Sequence, residues 1–153
     1  MTTVRKPEHR PQFKISPKSL LTRLPFYTVD GTARFVGSDT IVTMAPEDLV
    51  DPPEYDILSQ AVNANGQPYQ IVELPITEKL IGGYNGVYIN YYVGNDVVIV
   101  PIFDDANDQE ALNILADLYP GRTVTGINME ELYLDGGAAH CVTQQQPVAV
   151  RRR

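Results

Sequence analysis

The sequence predicts an α/β fold built from two copies of a strand-strand-helix-strand unit. Three observations lead there. Val36-Gly37-Ser38-Asp39-Thr40-Ile41-Val42 matches Val93-Gly94-Asn95-Asp96-Val97-Val98-Ile99 at a constant offset of 57 residues, which marks an internal repeat. Each copy is followed by proline, acids and a segment with helical apolar spacing. A strand-like run closes each copy, Gln70 to Leu74 in the first and Thr123 to Ile127 in the second.

Residues 1–26 precede the repeat. They hold Pro7, Pro11, Pro17 and Pro25 and show no helical or strand period, so they read as a disordered basic lead-in. Residues 27–150 form the body and 151–153 a basic tail. Within the body, Phe35, Val36, Ile41 and Val42 flank Gly37-Ser38-Asp39, the pattern of two short strands joined by a tight turn. The first helix opens at Asp51-Pro52-Pro53-Glu54, where Asp51 can cap and Pro52 suits the first helical position. Ile57, Leu58, Ala61 and Val62 share one face, and Asn65-Gly66 is the expected stop. In the second helix Asn107 is the expected cap, with Glu110 three residues on. Ala111, Leu112, Ile114, Leu115 and Leu118 make the stripe, and Tyr119-Pro120-Gly121 ends it. Stacked repeats bury their faces against neighbours, and about three are usually needed for stability. Two fall short of that.

Charge is unevenly placed along the 153 residues. Nine of twelve cations sit in residues 1–23 and 151–153. Between residues 24 and 150 only Arg34, Lys79 and Arg122 oppose eighteen carboxylates, a formal charge of −15. Such a body repels nucleic acid and attracts a cationic ligand, although a solvated acidic surface also serves solubility. No apolar run approaches the roughly 20 residues needed to cross a bilayer, and no apolar stretch follows the basic residues at the start. A cytoplasmic chain without membrane contact is the expectation. A single cysteine, Cys141, excludes an internal disulfide, and with only His9 and His140 available a structural zinc site is not expected.

The segment from Asp135 through Gly136, Gly137, Ala138, Ala139, His140, Cys141, Val142, Thr143, Gln144, Gln145 and Gln146 to Pro147 joins a glycine pair, a thiol and an amide run that packing does not require. It resembles the nucleophile motif of the agmatine deiminases, Gly-Gly-Gly-Asn-Ile-His-Cys-x-Thr-Gln-Gln-x-Pro. Val29-Asp30-Gly31-Thr32-Ala33-Arg34-Phe35 is similar to that family's His-Val-Asp-Gly-x-Ala-Arg-Phe. Tyr88 to Tyr92 and Val100 to Asp108 resemble its strand and helix-opening segments, so residues 29 to 147 are covered. The resemblance extends to the Porphyromonas-type peptidyl-arginine deiminases, but only to the C-terminal portion of such a chain.

That resemblance implies a partial α/β propeller, two blades of a five-bladed fold. It implies hydrolysis of agmatine to N-carbamoylputrescine and ammonia, a step of polyamine biosynthesis, with no cofactor or metal. An arginine side chain is the alternative substrate. A non-catalytic remnant that assembles through an open blade edge, as a homo-oligomer, is the alternative to an enzyme. Cys141 takes the place of the nucleophile, since a soft thiolate suits attack on a guanidinium carbon. Asp30 matches the carboxylate that grips the guanidinium, and equally suits a turn before Gly31. Gly136 and Gly137 let the backbone approach a ligand or adopt positive φ, or simply form a turn.

This sequence departs from the family motifs at several positions: Thr28 replaces the histidine, Asp135 the first glycine, and Ala138 the asparagine. Loss of a positioned base costs on the order of 10²- to 10⁴-fold in rate. His140 is not expected to replace it, because neighbours on an extended segment face opposite ways.

Overall fold

The computed structural model describes residues 31–49 and 53–146. The lead-in, Thr28, Asp30, the Asp51-Pro52 cap and the basic tail all lie outside the described residues. Two three-stranded sheets carry the repeat. In the first, β1 (Ala33–Val36) pairs antiparallel with β2 (Thr40–Met44), and β2 pairs parallel with β3 (Gln70–Leu74) after the crossover helix α1 (Pro53–Ser59). A hairpin of β4 (Ile76–Ile81) and β5 (Tyr84–Val87) follows. The second sheet repeats the first: β6 (Tyr92–Val93) pairs antiparallel with β7 (Val97–Ile102), and β7 pairs parallel with β8 (Thr123–Asn128) across α2 (Asp108–Leu118). A short helix, α3 (Glu130–Leu134), comes after β8.

The repeat extends to single bonds, with the two acceptors 57 residues apart and the two donors 53. Asp39 O accepts from Gln70 N at 2.8 Å, and Asp96 O accepts from Thr123 N at 2.9 Å, each opening the parallel pairing of its unit. The expected turn at Gly37 is present with φ of 69°, a conformation that suits glycine. The helices of the two units differ more. α2 packs its stripe, burying Ala111 and Leu115, whereas α1 leaves Ile57 45% exposed.

The first helix is also shorter than its apolar spacing suggests, ending at Ser59 rather than at Asn65-Gly66. Asn63 explains the early end. Its Oδ1 accepts from the N–H groups of Asn65 and Gln67, and its Nδ2 donates to the Asp39 carboxylate at 2.8 Å. A side chain that bonds the local backbone this well favours a turn over further helix.

At α2 the cap differs from expectation in the same way. The Asn107 side chain does not cap; its Nδ2 donates to Ile76 O at 2.9 Å and ties the helix start to the hairpin. Carboxylates serve the loop instead. Asp105 accepts from the N–H groups of Glu78, Lys79 and Asn107, and Asp108 accepts from those of Phe103 and Asp105 and from the Tyr88 hydroxyl. An ionised acceptor binds N–H more strongly than a neutral amide does.

Tyr88 to Tyr91 is a buried turn between the hairpin and the second sheet, not the strand that the resemblance suggested. Tyr88, Ile89 and Tyr91 are fully buried, and they join Val42 and Leu74 of the first unit to Val98, Val100, Phe103, Ala111 and Leu115 of the second in one core. That segment is the core's middle. The hairpin was not foreseen, although its turn is Gly82-Gly83 with φ of 60° and 94°, the signature of a two-residue hairpin.

Partial burial pushes the Asp105 carboxyl up, but the N–H groups of Lys79, Asn107 and Glu78 outweigh it and hold the group below its ordinary value of 3.8. A depressed carboxyl adds stability above its unfolded value and loses it as pH falls through the folded one. Asp105→Asn is therefore expected to lower the urea midpoint at neutral pH, with the gap to the parent closing as pH drops below about 3.8. A gap that stays constant over that range is the contrary result.

Candidate active site

The chain leaves β8 through Met129, forms one and a half turns of α3, and then reverses at Asp135-Gly136, where Gly136 has φ of 111°. Tyr133 secures the helix: its hydroxyl donates to Asn85 O at 2.9 Å and its ring meets Phe103 edge-on at 5.3 Å. Ala138 and Ala139 then plunge into the interior at 0% and 1% exposure. From Ala139 to Val142 the backbone is a turn, closed by Thr143, whose hydroxyl donates to Ala139 O at 2.7 Å and whose N–H donates to His140 O. Cys141 emerges from it exposed.

Asn90 holds this turn. The residue is 4% exposed and lies in the buried segment between the two units. Its Nδ2 donates to Cys141 Sγ at 3.2 Å, its Oδ1 accepts from Ala138 N at 3.1 Å and Cys141 N at 3.4 Å, and its backbone carbonyl accepts from His140 N at 3.0 Å. One residue thus touches the loop at four points, including the sulfur. Gly137 backs the thiol from the other direction. A Cβ at that position would stand 2.6 Å from Cys141 Cβ and 2.8 Å from Sγ, closer than any side chain tolerates. Burial pushes the Tyr133 phenol up; an N–H from Val87 acts the other way, and negative charge on Cys141 adds to the rise. Tyr133 and Cys141 are thereby electrostatic neighbours.

One reading of the sequence changes at this loop. The segment around His140 is a turn and not extended chain, so alternation of faces does not govern where His140 lies relative to Cys141. Gln144, Gln145 and Gln146 are exposed coil. Gly136 does take the positive φ allowed for, while Gly137 makes room for the sulfur itself. Asn90 carried no role in the sequence reading. Its signal was a lone amide inside an apolar run, Tyr88-Ile89-Asn90-Tyr91-Tyr92, where burial demands bonded partners. Among the described residues no three His, Cys, Asp or Glu side chains converge as a metal site, and no helix is long and apolar enough to cross a membrane.

A model of the Porphyromonas-type peptidyl-arginine deiminase family matches residues 27–147. The chain belongs to that family. Among curated relatives, a protein of Latilactobacillus sakei provisionally named agmatine deiminase is 33% identical over 78% of this chain. A Listeria monocytogenes protein with a similar provisional name is 31% identical over the same share. The chain spans about 40% of the length of each. Among solved structures, a provisionally named arginine deiminase of Porphyromonas gingivalis superposes with a TM-score of 0.70 at 36% identity, covering 78% of this chain and 38% of its own. The agmatine deiminase of Enterococcus faecalis gives a TM-score of 0.67 at 26% identity, over 78% of this chain and 40% of its own. The mixed α/β fold of this deiminase-family chain is therefore one that solved deiminases share.

Asn90→Ala is expected to leave the buried Ala138 N–H without its Asn90 acceptor and to lower unfolding stability by about 1–3 kcal/mol. Gly137→Ala is expected to cost a similar amount, about 1–3 kcal/mol, through overpacking against the cysteine. Denaturant titration of each purified variant measures both; a loss under about 0.5 kcal/mol in either would contradict these contacts.

Proposed function

We propose that this chain carries the nucleophile half of a deiminase that hydrolyses a carbon-nitrogen bond of a guanidino group, with agmatine as substrate and Cys141 as the attacking residue. The observation that carries the reading is the thiol: exposed, held by a buried amide, and backed by a glycine where a Cβ would crowd the sulfur. A cysteine kept only for packing needs none of these.

In this reading the Cys141 thiolate adds to the guanidinium carbon and forms a tetrahedral adduct. Protonation of one nitrogen and departure of ammonia leave an S-alkylthiouronium on the sulfur. Water adds to the same carbon, the carbon-sulfur bond breaks, and the ureido product departs while the thiolate is restored. For agmatine the products are N-carbamoylputrescine and ammonia; for an arginine side chain, the alternative, a citrulline side chain. Asp30 grips the guanidinium by a charge-assisted pair, and Gly136 and Gly137 admit the planar group close to the backbone. The Asn90 amide donates to the sulfur and holds it in place. No cofactor takes part. The two repeated units are the last two blades of a five-bladed propeller whose axis holds the site.

A second reading, a chain that binds partners without turnover, is favoured by specific features. Thr28 stands where the family has its histidine, and the first unit leaves Phe35 of the outer strand β1 67% exposed, Val62 57% and Ile57 45%. Such surfaces suit self-association.

The deciding experiment incubates the full chain with agmatine and with arginine and measures ammonia and ureido product. Thr28→His is expected to raise the rate on the order of 10²- to 10⁴-fold by restoring a base, and Cys141→Ala to abolish it. No product from either the parent or Thr28→His, with a self-associated species in sedimentation, favours the second reading.

A further inference from the structure

Arg34 is an unusual cation for this body. Eighteen carboxylates surround three positive side chains between residues 24 and 150. Lys79 pairs with Glu130 at 2.8 Å, and Arg122 caps the Gly94-Asn95 turn through two carbonyls. Among the described residues Arg34 forms no ion pair. Its guanidinium instead lies 4.4 Å above the ring of Tyr91, and its Nη1 donates to the carbonyl of the same residue. Tyr91 is fully buried, and its hydroxyl meets that of Tyr119 at 3.0 Å. Burial pushes the Tyr91 phenol up, the bond to Tyr119 adds to this, and Arg34 opposes it. The strand β1 of the first unit is thereby fastened to the segment that precedes the second.

The position of that fastening matters. Tyr91 follows Asn90, whose side chain holds Sγ and two N–H groups of the cysteine loop. Gripping residue 91 by both its ring and its carbonyl restricts the backbone rotation that aims the neighbouring amide. A planar guanidinium does both at once, stacking on one face and donating from its edge; an ammonium is a compact charge that does not.

We propose that Arg34 is a positioning residue for the Cys141 thiol, acting through Tyr91 and Asn90. The proposal rests on the reading of Cys141 as the reacting group, but it concerns the thiol's setting and not the identity of the substrate.

The test uses the single cysteine. The full chain is alkylated with iodoacetamide across a range of pH, with the urea-denatured chain as reference. Arg34→Lys is expected to slow alkylation near neutral pH by about three- to tenfold, the worth of one well-aimed hydrogen bond, and to move the whole pH profile upward. Its circular dichroism is expected to stay that of the parent. In an Asn90→Ala background the same substitution is expected to add less than about twofold, because residues acting in series do not add. Arg122→Lys, which loses a comparable contact with Tyr119 at 5.5 Å, is the control and should stay within about twofold of the parent.

An unchanged rate and profile in Arg34→Lys overturns the proposal. So does equal slowing in the Asn90→Ala background or in the control. Should Arg34→Lys lose its fold, Arg34→Gln, which keeps a planar N–H donor, carries the same comparison against Asn90→Ala. Alkylation needs no guanidino compound, so absence of ureido product strikes the deiminase reading and leaves this one standing on its own data.

Discussion

A buried carboxamide costs free energy unless its oxygen and its nitrogen are both bonded, and Asn90 meets that demand with groups drawn from one short loop. Its oxygen takes the N–H of Ala138 and of Cys141, its nitrogen reaches Sγ, and its carbonyl takes His140 N. Because Tyr88, Ile89 and Tyr91 on either side are fully buried in the core between the units, Asn90 has little freedom to move. The cysteine loop inherits that rigidity although Cys141 itself is exposed. Packing at the centre of the molecule and the placement of an exposed thiol are in this way one constraint.

The two repeated units share their strand pairing but not their finish. In both, the carbonyl of an aspartate at the turn opens the parallel pair. In the second unit α2 lies over its sheet with Ala111 and Leu115 buried. In the first, Asn63 diverts the chain after Ser59 and the apolar side chains Ile57 and Val62 remain on the surface. The units are thus unequal partners: the second provides more of the core than the first, which joins it through Val42, Leu74 and the Arg34-Tyr91 contact.

Several of the carboxylates behind the formal charge of −15 are engaged within the fold. Asp105 and Asp108 are absorbed by loop N–H groups and the Tyr88 hydroxyl, Asp39 by Asn63, Glu73 by the Tyr55 hydroxyl at 2.6 Å, and Glu130 by Lys79. Several of the carboxylates therefore shape turns and hold elements in register. Charge counted along a chain and charge presented to solvent are different quantities.

Periodicity and turn chemistry were enough to locate β1, β2, β3 and β8, the stripe of α2 and its end at Tyr119-Pro120-Gly121, because these depend on neighbours within a few residues. The segment that carries Cys141 and its glycine pair was equally legible, since these residues lie within six positions of one another. The extent of α1 was not, because the Asn63 turn that follows it is held in part by a bond to Asp39, 24 residues away. Nor was the cap of α2, which depends on Asp105 and on Ile76 across the hairpin. Asn90 stands 51 residues from Cys141 and Arg34 stands 57 from Tyr91; no local pattern encodes either contact. The sequence alone determined which segment holds the single thiol with its glycine pair and where the two units begin. The tertiary structure alone decided what touches the sulfur, because hydrogen bonds and stacking form between surfaces that only the closed core brings together.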